Sequence, residues 1–204
     1  MLTLLVNGLS KRFGARLLFD DLNLSVATGQ SLAVVGPNGS GKSTLLQILA
    51  GLQRGSRGEV HWRSADEPLP DDTRRNQIGF VAPYLNLYDQ LTADENLKFF
   101  AAVSGGQIPG KQIDRLLETV GLQGRRDDPV GEYSSGMKQR LKYAIALSGE
   151  PGYLFLDEPT ANLDEEGKAM VRRVIDRHRD RTILVLATNE RSEYEFADQQ
   201  CRLG

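Results

Sequence analysis

The stretch Gly36-Pro37-Asn38-Gly39-Ser40-Gly41-Lys42-Ser43-Thr44 decides the fold. It follows Ser31 to Val35 (SLAVV), an apolar run of the kind a strand buried on both faces shows. It leads into Leu45, Leu46, Ile48 and Leu49, which fit a helix stopped by Gly51. Glycines at 36, 39 and 41 let backbone N–H groups close around phosphate oxygens without a Cβ clash. The helix that follows points its positive end at the same anion. Lys42 adds a full charge suited to β- and γ-phosphates, and the Ser43 hydroxyl is suited to ligate Mg²⁺. The spacing Gly-x-x-x-x-Gly-Lys-Ser between strand and helix therefore predicts a nucleotide site carried by Gly36, Pro37, Asn38, Gly39, Ser40, Gly41, Lys42, Ser43 and Thr44.

A second apolar run, Tyr153-Leu154-Phe155-Leu156, ends in Asp157-Glu158. Side chains at the carboxyl end of a parallel strand emerge at the rim where α/β sheets bind ligands. Taken alone, a strand running into a solvated acidic turn is the commoner arrangement. Beside a phosphate loop, Asp157 is expected to hold Mg²⁺ through water and Glu158 to polarise the attacking water, so that a nucleotide and Mg²⁺ are the expected cofactors.

Outward from these two motifs, Leu22, Leu24 and Val26 alternate with polar residues as in a half-buried antiparallel strand. Val60 to Trp62 and Ile78 to Ala82 are further strands, with the polar stretch Ser64 to Asn76 expected as a loop. From Pro83 to Pro151 the period becomes helical. Thr92 with Glu95 forms a capping box, Ile113, Leu116, Leu117 and Val120 recur at helical spacing before Gly121, and Met137, Leu141, Ala144, Ile145 and Ser148 mark a third amphipathic face. Strand character returns at Thr182 to Ala187, after a crossover helix marked by Val171, Val174, Ile175 and His178. The expected class is α/β, a parallel sheet with a helical insertion.

The 204 residues carry 25 Lys and Arg against 27 Asp and Glu, a net charge of -2, so no broad basic face for nucleic acid is expected. The single cysteine, Cys201, excludes an internal disulfide and suits a reducing compartment. No apolar run reaches the roughly 18 residues of a membrane span, and the N-terminus lacks a signal-peptide pattern, so a membrane role is expected only through a partner.

The loop Tyr133-Ser134-Ser135-Gly136-Met137-Lys138-Gln139-Arg140, the strand ending in Asp157-Glu158-Pro159-Thr160, and Ala161-Asn162-Leu163-Asp164 follow one another in the order seen in the ATPase subunits of ABC transporters, which the chain resembles from Phe13 to Asn189. The resemblance implies one ABC ATPase domain over 1–204. Its P-loop NTPase core with an N-terminal antiparallel β subdomain would span 1–82 and 151–204, and an inserted α-helical subdomain 83–150. It also implies an ATP-dependent dimer, with a second copy or a paralogous ATPase subunit, in which Ser134, Ser135, Gly136 and Met137 of one subunit contact the nucleotide of the other. Asp164 resembles the aspartate that crosses the dimer interface, and Phe13 stands where an aromatic stacks on adenine. An integral-membrane permease would hold the subunit at the cytoplasmic face of the membrane.

Two positions depart from the family pattern. Pro83 replaces the usual glutamine near Mg²⁺, and Asn189 replaces the usual histidine at the γ-phosphate. An amide can donate to phosphate but cannot carry a proton as imidazole does. Asn189 is nonetheless a catalytic candidate with Glu158, while His61 and His178 read as structural. The short chain and its SSGMKQR signature look most like the small ATPases of heme and cytochrome-c-maturation exporters. A soluble non-transport ABC protein and a low-turnover ATP-binding regulatory module are the alternatives.

Overall fold

In the computed structural model, residues 1–65 and 67–204 are described. Two sheets share the work. Strands β1 (Leu2–Phe13), β2 (Arg16–Ala27), β4 (Arg57–Ser64) and β5 (Glu67–Pro68) form an antiparallel sheet in the order β2-β1-β4-β5. Strands β3 (Ser31–Val35), β6 (Ile78–Val81), β7 (Tyr153–Asp157), β8 (Ile183–Thr188) and β9 (Gln199–Arg202) form a parallel sheet in the order β6-β7-β8-β3-β9.

The parallel sheet is buried on both faces, and the two-residue period divides its side chains between two cores. Leu32 and Val34, Tyr153 and Phe155, and Ile183, Val185 and Ala187 join one core with helix α1 (Lys42–Leu49) and the antiparallel sheet. Ala33 and Val35, Leu154 and Leu156, and Leu184 and Leu186 join the other. Helices α3 (Ala93–Val103), α4 (Gly110–Thr119), α5 (Ser135–Leu147) and α6 (Glu165–His178) contribute to that second core.

Local chemistry sets the helix ends. Thr92 and Glu95 close the expected capping box: Glu95 N donates to Thr92 Oγ1 at 3.2 Å and Thr92 N donates to Glu95 Oε2 at 2.9 Å. Thr92→Ala is expected to cost about 1 kcal/mol in a denaturant titration; an unchanged midpoint would show that α3 is held by packing alone. Gly121, at φ 70°, ends the helical run of α4 as its position implied. Asp164 caps α6 by accepting from Gly167 N at 2.8 Å.

Three expectations are corrected. The stretch Ser64 to Asn76 is more than a loop, since it holds β5 and helix α2 (Asp71–Asn76). Helix α2 has no buried residue and so shows no apolar stripe; Asp71 and Asp72 in its first turn and Arg74 and Arg75 in its last complement the helix dipole instead. Helix α5 is enclosed beyond a single face, with Gln139 to Ala144, Ala146 and Leu147 all buried. Beyond β8 lie a short helix α7 (Arg191–Tyr194) and the edge strand β9, neither of them expected.

Candidate nucleotide site

All strands of the central sheet run parallel, so their carboxyl ends gather at one edge. The phosphate loop leaves β3 there, Asp157 and Glu158 end β7, Asn189 follows β8, and Pro83 and Tyr84 follow β6. Two glycines make the loop possible. Gly41 sits at φ 102° as the N-cap of α1, and a Cβ on Gly36 would run into the Leu203 carbonyl. Lys42 is buried, and its ammonium donates to the carbonyls of Gly36 at 2.9 Å and Pro37 at 3.2 Å. Arg16 steadies the loop tip by donating to the Gly39 carbonyl at 2.7 Å.

A cleft of about 470 Å³ opens over this edge, lined by Asn38, Gly39, Gly41, Lys42, Ser43, Thr44 and Glu158, with Phe13, Arg16 and Leu18 on its flank. Phe13 is 51% exposed, so it is a wall of the cleft rather than a core residue. Another cleft of similar size lies at the opposite edge of the sheet beside Arg115, Arg177 and Arg181, and it shares no residue with the phosphate loop or the acidic strand end.

The pleat turns Asp157 to the face of β7 that α1 covers, next to Ser43 and Lys42. Its carboxylate is almost wholly buried and neither oxygen has a hydrogen-bond partner among the described residues. Burial pushes its pKa up, while Ser43, Tyr84 and Lys42 pull it down; these groups act on its charge without closing a hydrogen bond onto it. A buried carboxylate with unsatisfied oxygens beside a serine hydroxyl is a donor set that suits Mg²⁺. Among the described residues no group of three or more His, Cys, Asp and Glu could hold a metal alone. A cation held by Ser43 and Asp157 would draw the rest of its shell from water and phosphate oxygens.

Glu158 has a left-handed backbone, φ 46°, uncommon for a residue with a long side chain, and its N–H donates to the Ala187 carbonyl at 2.9 Å. Burial pushes its pKa up; Lys42 opposes this, and Asp157, Glu193 and Glu190 add to it. A raised carboxylate at a phosphate site suits a general base. Asn189 reaches the loop, its Nδ2 donating to Asn38 Oδ1 at 3.4 Å. His61 pairs with Glu59 on β4, and His178 Nδ1 lies 2.8 Å from the Val174 carbonyl; neither lines the cleft.

The signature residues lie outside this cleft. Ser134 caps α5, accepting from Met137 N at 3.2 Å, and Ser135 borders a separate groove with Pro83 and Asn162. Asp164 pairs with the buried Arg140 at 2.9 Å, which ties α5 to the start of α6. Two contributors escaped the sequence reading. Glu193 on α7 accepts from the hydroxyls of Thr160 and Thr188, joining the segment after Glu158 to the end of β8. Tyr84 accepts a hydrogen bond from Gln47 Nε2 at 2.8 Å, and the only sequence signal for it was a hydroxyl directly after Pro83.

A phosphate cradle, an acidic strand end and a signature helix set around one parallel sheet define an ATP-binding cassette. The chain belongs to the ABC transporter family, whose model matches residues 19–161. It is similar to the sulfate/thiosulfate import ATP-binding protein CysA of Bordetella parapertussis, 37% identical over 204 residues, covering 95% of this chain and 57% of that protein. It is also similar to the lipoprotein-releasing system ATP-binding protein LolD of Xanthomonas oryzae pv. oryzae, 39% identical over 183 residues, covering 85% and 75%. The ATP-binding cassette MJ0796, solved as a dimer in a post-hydrolysis state with ADP and Pi, superposes with a TM-score of 0.86 at 26% identity, covering 98% of this chain and 94% of that one. The chain thus spans little more than half the length of the sulfate/thiosulfate relatives.

Proposed function

We propose that the chain is an ATP-hydrolysing motor subunit that pairs through bound ATP and drives a separate membrane permease. One observation carries this reading: Lys42, Ser43, Asp157, Glu158 and Asn189 converge on the same sheet edge from β3, β7 and β8. In this scheme the loop and Lys42 hold the β- and γ-phosphates, and Glu158 orients and deprotonates the attacking water. Mg²⁺ held by Ser43 and Asp157 would neutralise charge on the transferring phosphate. Asn189 donates a hydrogen bond to the γ-phosphate.

The signature residues Ser134, Ser135, Gly136 and Met137 lie outside the chain's own cleft, which supports their use by a facing subunit, with Asp164 beside the interface. That subunit is a second copy or a paralogue. Among the described residues no helix is long and apolar enough to cross a membrane, in keeping with attachment to the cytoplasmic face through a permease. The relatives bear the names of transport systems, which favours a transport motor over a soluble factor or a low-turnover regulator. One name denotes import and the other release, and the narrower likeness to heme and cytochrome-c-maturation exporters gains no support from them.

Single-turnover hydrolysis tests the assignment of Asn189. Asn189→Ala is expected to slow hydrolysis by at most about 10²-fold, with ATP affinity little changed, since Lys42 still carries most of the charge. Asn189→His is expected to raise the rate. Wild-type rates in Asn189→Ala would show Asn189 to be a turn residue only.

A further inference from the structure

We propose that Tyr84 is a metal-positioning residue of the nucleotide site, its phenolic oxygen supplying to the water shell of a divalent cation the contact that Pro83 cannot make. The inference rests on the nucleotide-and-metal reading above and adds to it a residue outside the phosphate loop and the acidic strand.

Three observations support it. The first is placement. Gln47 lies four residues after Ser43 on α1, so the two side chains share one helix face. Gln47 Nε2 donates to the Tyr84 hydroxyl at 2.8 Å and thereby holds the phenol on the face that carries Ser43. The second is the buried carboxylate. Asp157 is 1% exposed and both its oxygens lack a partner among the described residues, and β6 pairs with β7 in the register Val81 to Leu156, so the segment that carries Tyr84 leaves the sheet beside Asp157. A phenol has one proton to donate and lone pairs to accept with. With Gln47 donating to the oxygen, the proton is free for Asp157 and a second lone pair is free for a metal-bound water.

The third observation is the anchoring of the backbone. Lys142 of α5 donates its ammonium to the carbonyls of Pro83 at 2.6 Å and Ala82 at 3.1 Å, which fixes the segment from which Tyr84 projects. Tyr84 is 48% exposed. It therefore fills no core space that would by itself account for an aromatic residue here.

Mn²⁺ is the probe, read by electron paramagnetic resonance of the free ion while the full chain is titrated in the presence of ADP. Tyr84→Phe keeps the ring and removes the oxygen. It is expected to raise the dissociation constant of Mn²⁺ about threefold to tenfold, the worth of one hydrogen bond, while ADP affinity in excess chelator stays at the wild-type value. Adding Pro83→Gln to Tyr84→Phe is expected to restore Mn²⁺ affinity. Equal Mn²⁺ affinity in Tyr84→Phe overturns the inference. So does a matching loss of metal-free ADP affinity, which would mark Tyr84 as a packing support for α1. If the wild-type chain itself takes up no Mn²⁺ with ADP, the underlying nucleotide-and-metal reading fails, and this inference with it.

Discussion

Glu158→Gln is expected to bind ATP as the unaltered chain does and to hydrolyse it about 10²–10⁴-fold more slowly, the usual contribution of a positioned base. The amide keeps the length and shape of the side chain, and the Glu158 N–H bond to the Ala187 carbonyl leaves the backbone where it was. What disappears is the capacity to take a proton from water. The affinity persists because Lys42 and the loop are untouched. Trapped ATP is then expected to keep two copies together, so that size-exclusion chromatography with MgATP gives twice the monomer mass. The pH profile gives an independent reading. A carboxyl whose pKa is raised loses its basic form, on acidification, at a higher pH than an ordinary glutamate, so hydrolysis by the unaltered chain falls early on the acid side. The residual rate of Glu158→Gln lacks that limb. Full turnover, or a monomer at high protein concentration with ATP bound, assigns the chemistry elsewhere.

Lys42→Ala is expected to weaken the affinity itself. Lys42 is 6% exposed and its ammonium already makes two hydrogen bonds along the loop, so it is held in place before any phosphate arrives. A hydrogen bond to a charged group contributes about 1.5–3 kcal/mol, so losing it weakens ATP binding by roughly 10–10²-fold. The same ammonium lowers the pKa of both Asp157 and Glu158, so its loss also leaves these carboxyls less ionised. Titration with a fluorescent ATP analogue measures the first effect, and circular dichroism confirms that the variant is folded. Unchanged affinity in a folded variant refutes the phosphate-loop assignment.

The parts of the molecule legible from sequence are those whose cause is local. Strands β3 and β7 announce themselves because a strand buried on both faces tolerates almost nothing polar until the residue that reaches the site. The capping boundary at Thr92 is visible for the same reason, since all its partners lie within four residues. Helix α2 escaped because it turns no face to the core and shows charges where a periodic apolar signal would be. Strand β9 escaped because it is an edge strand, paired in the sheet with β3 alone among the described residues, with Gln199, Gln200 and Arg202 in place of an apolar run.

The site divides in the same way. Lys42, Ser43, Asp157 and Glu158 sit at the ends of legible strands or the start of a legible helix. Tyr84 meets Gln47 across 37 residues of sequence, and Glu193 meets Thr160 across 33. No window of sequence short enough to show a pattern contains either pair. Pro83 and Asn189 marked where the family pattern is broken, and the residues that surround those breaks emerge only when β6, β7 and β8 are laid side by side.

The division of the central sheet between two cores sets a limit on how the chain can change. In β7 the side chains alternate Tyr153, Leu154, Phe155, Leu156, Asp157, and the last belongs to the same set as the two aromatics. Inserting or deleting a single residue within this strand would exchange the aromatic set with the leucine set, and the same half-turn would swing Asp157 away from Ser43. A substitution can damage packing or chemistry separately. A frame slip here damages both at once, so a change of length is expected to be tolerated only in the connections, where no pleat has to be counted.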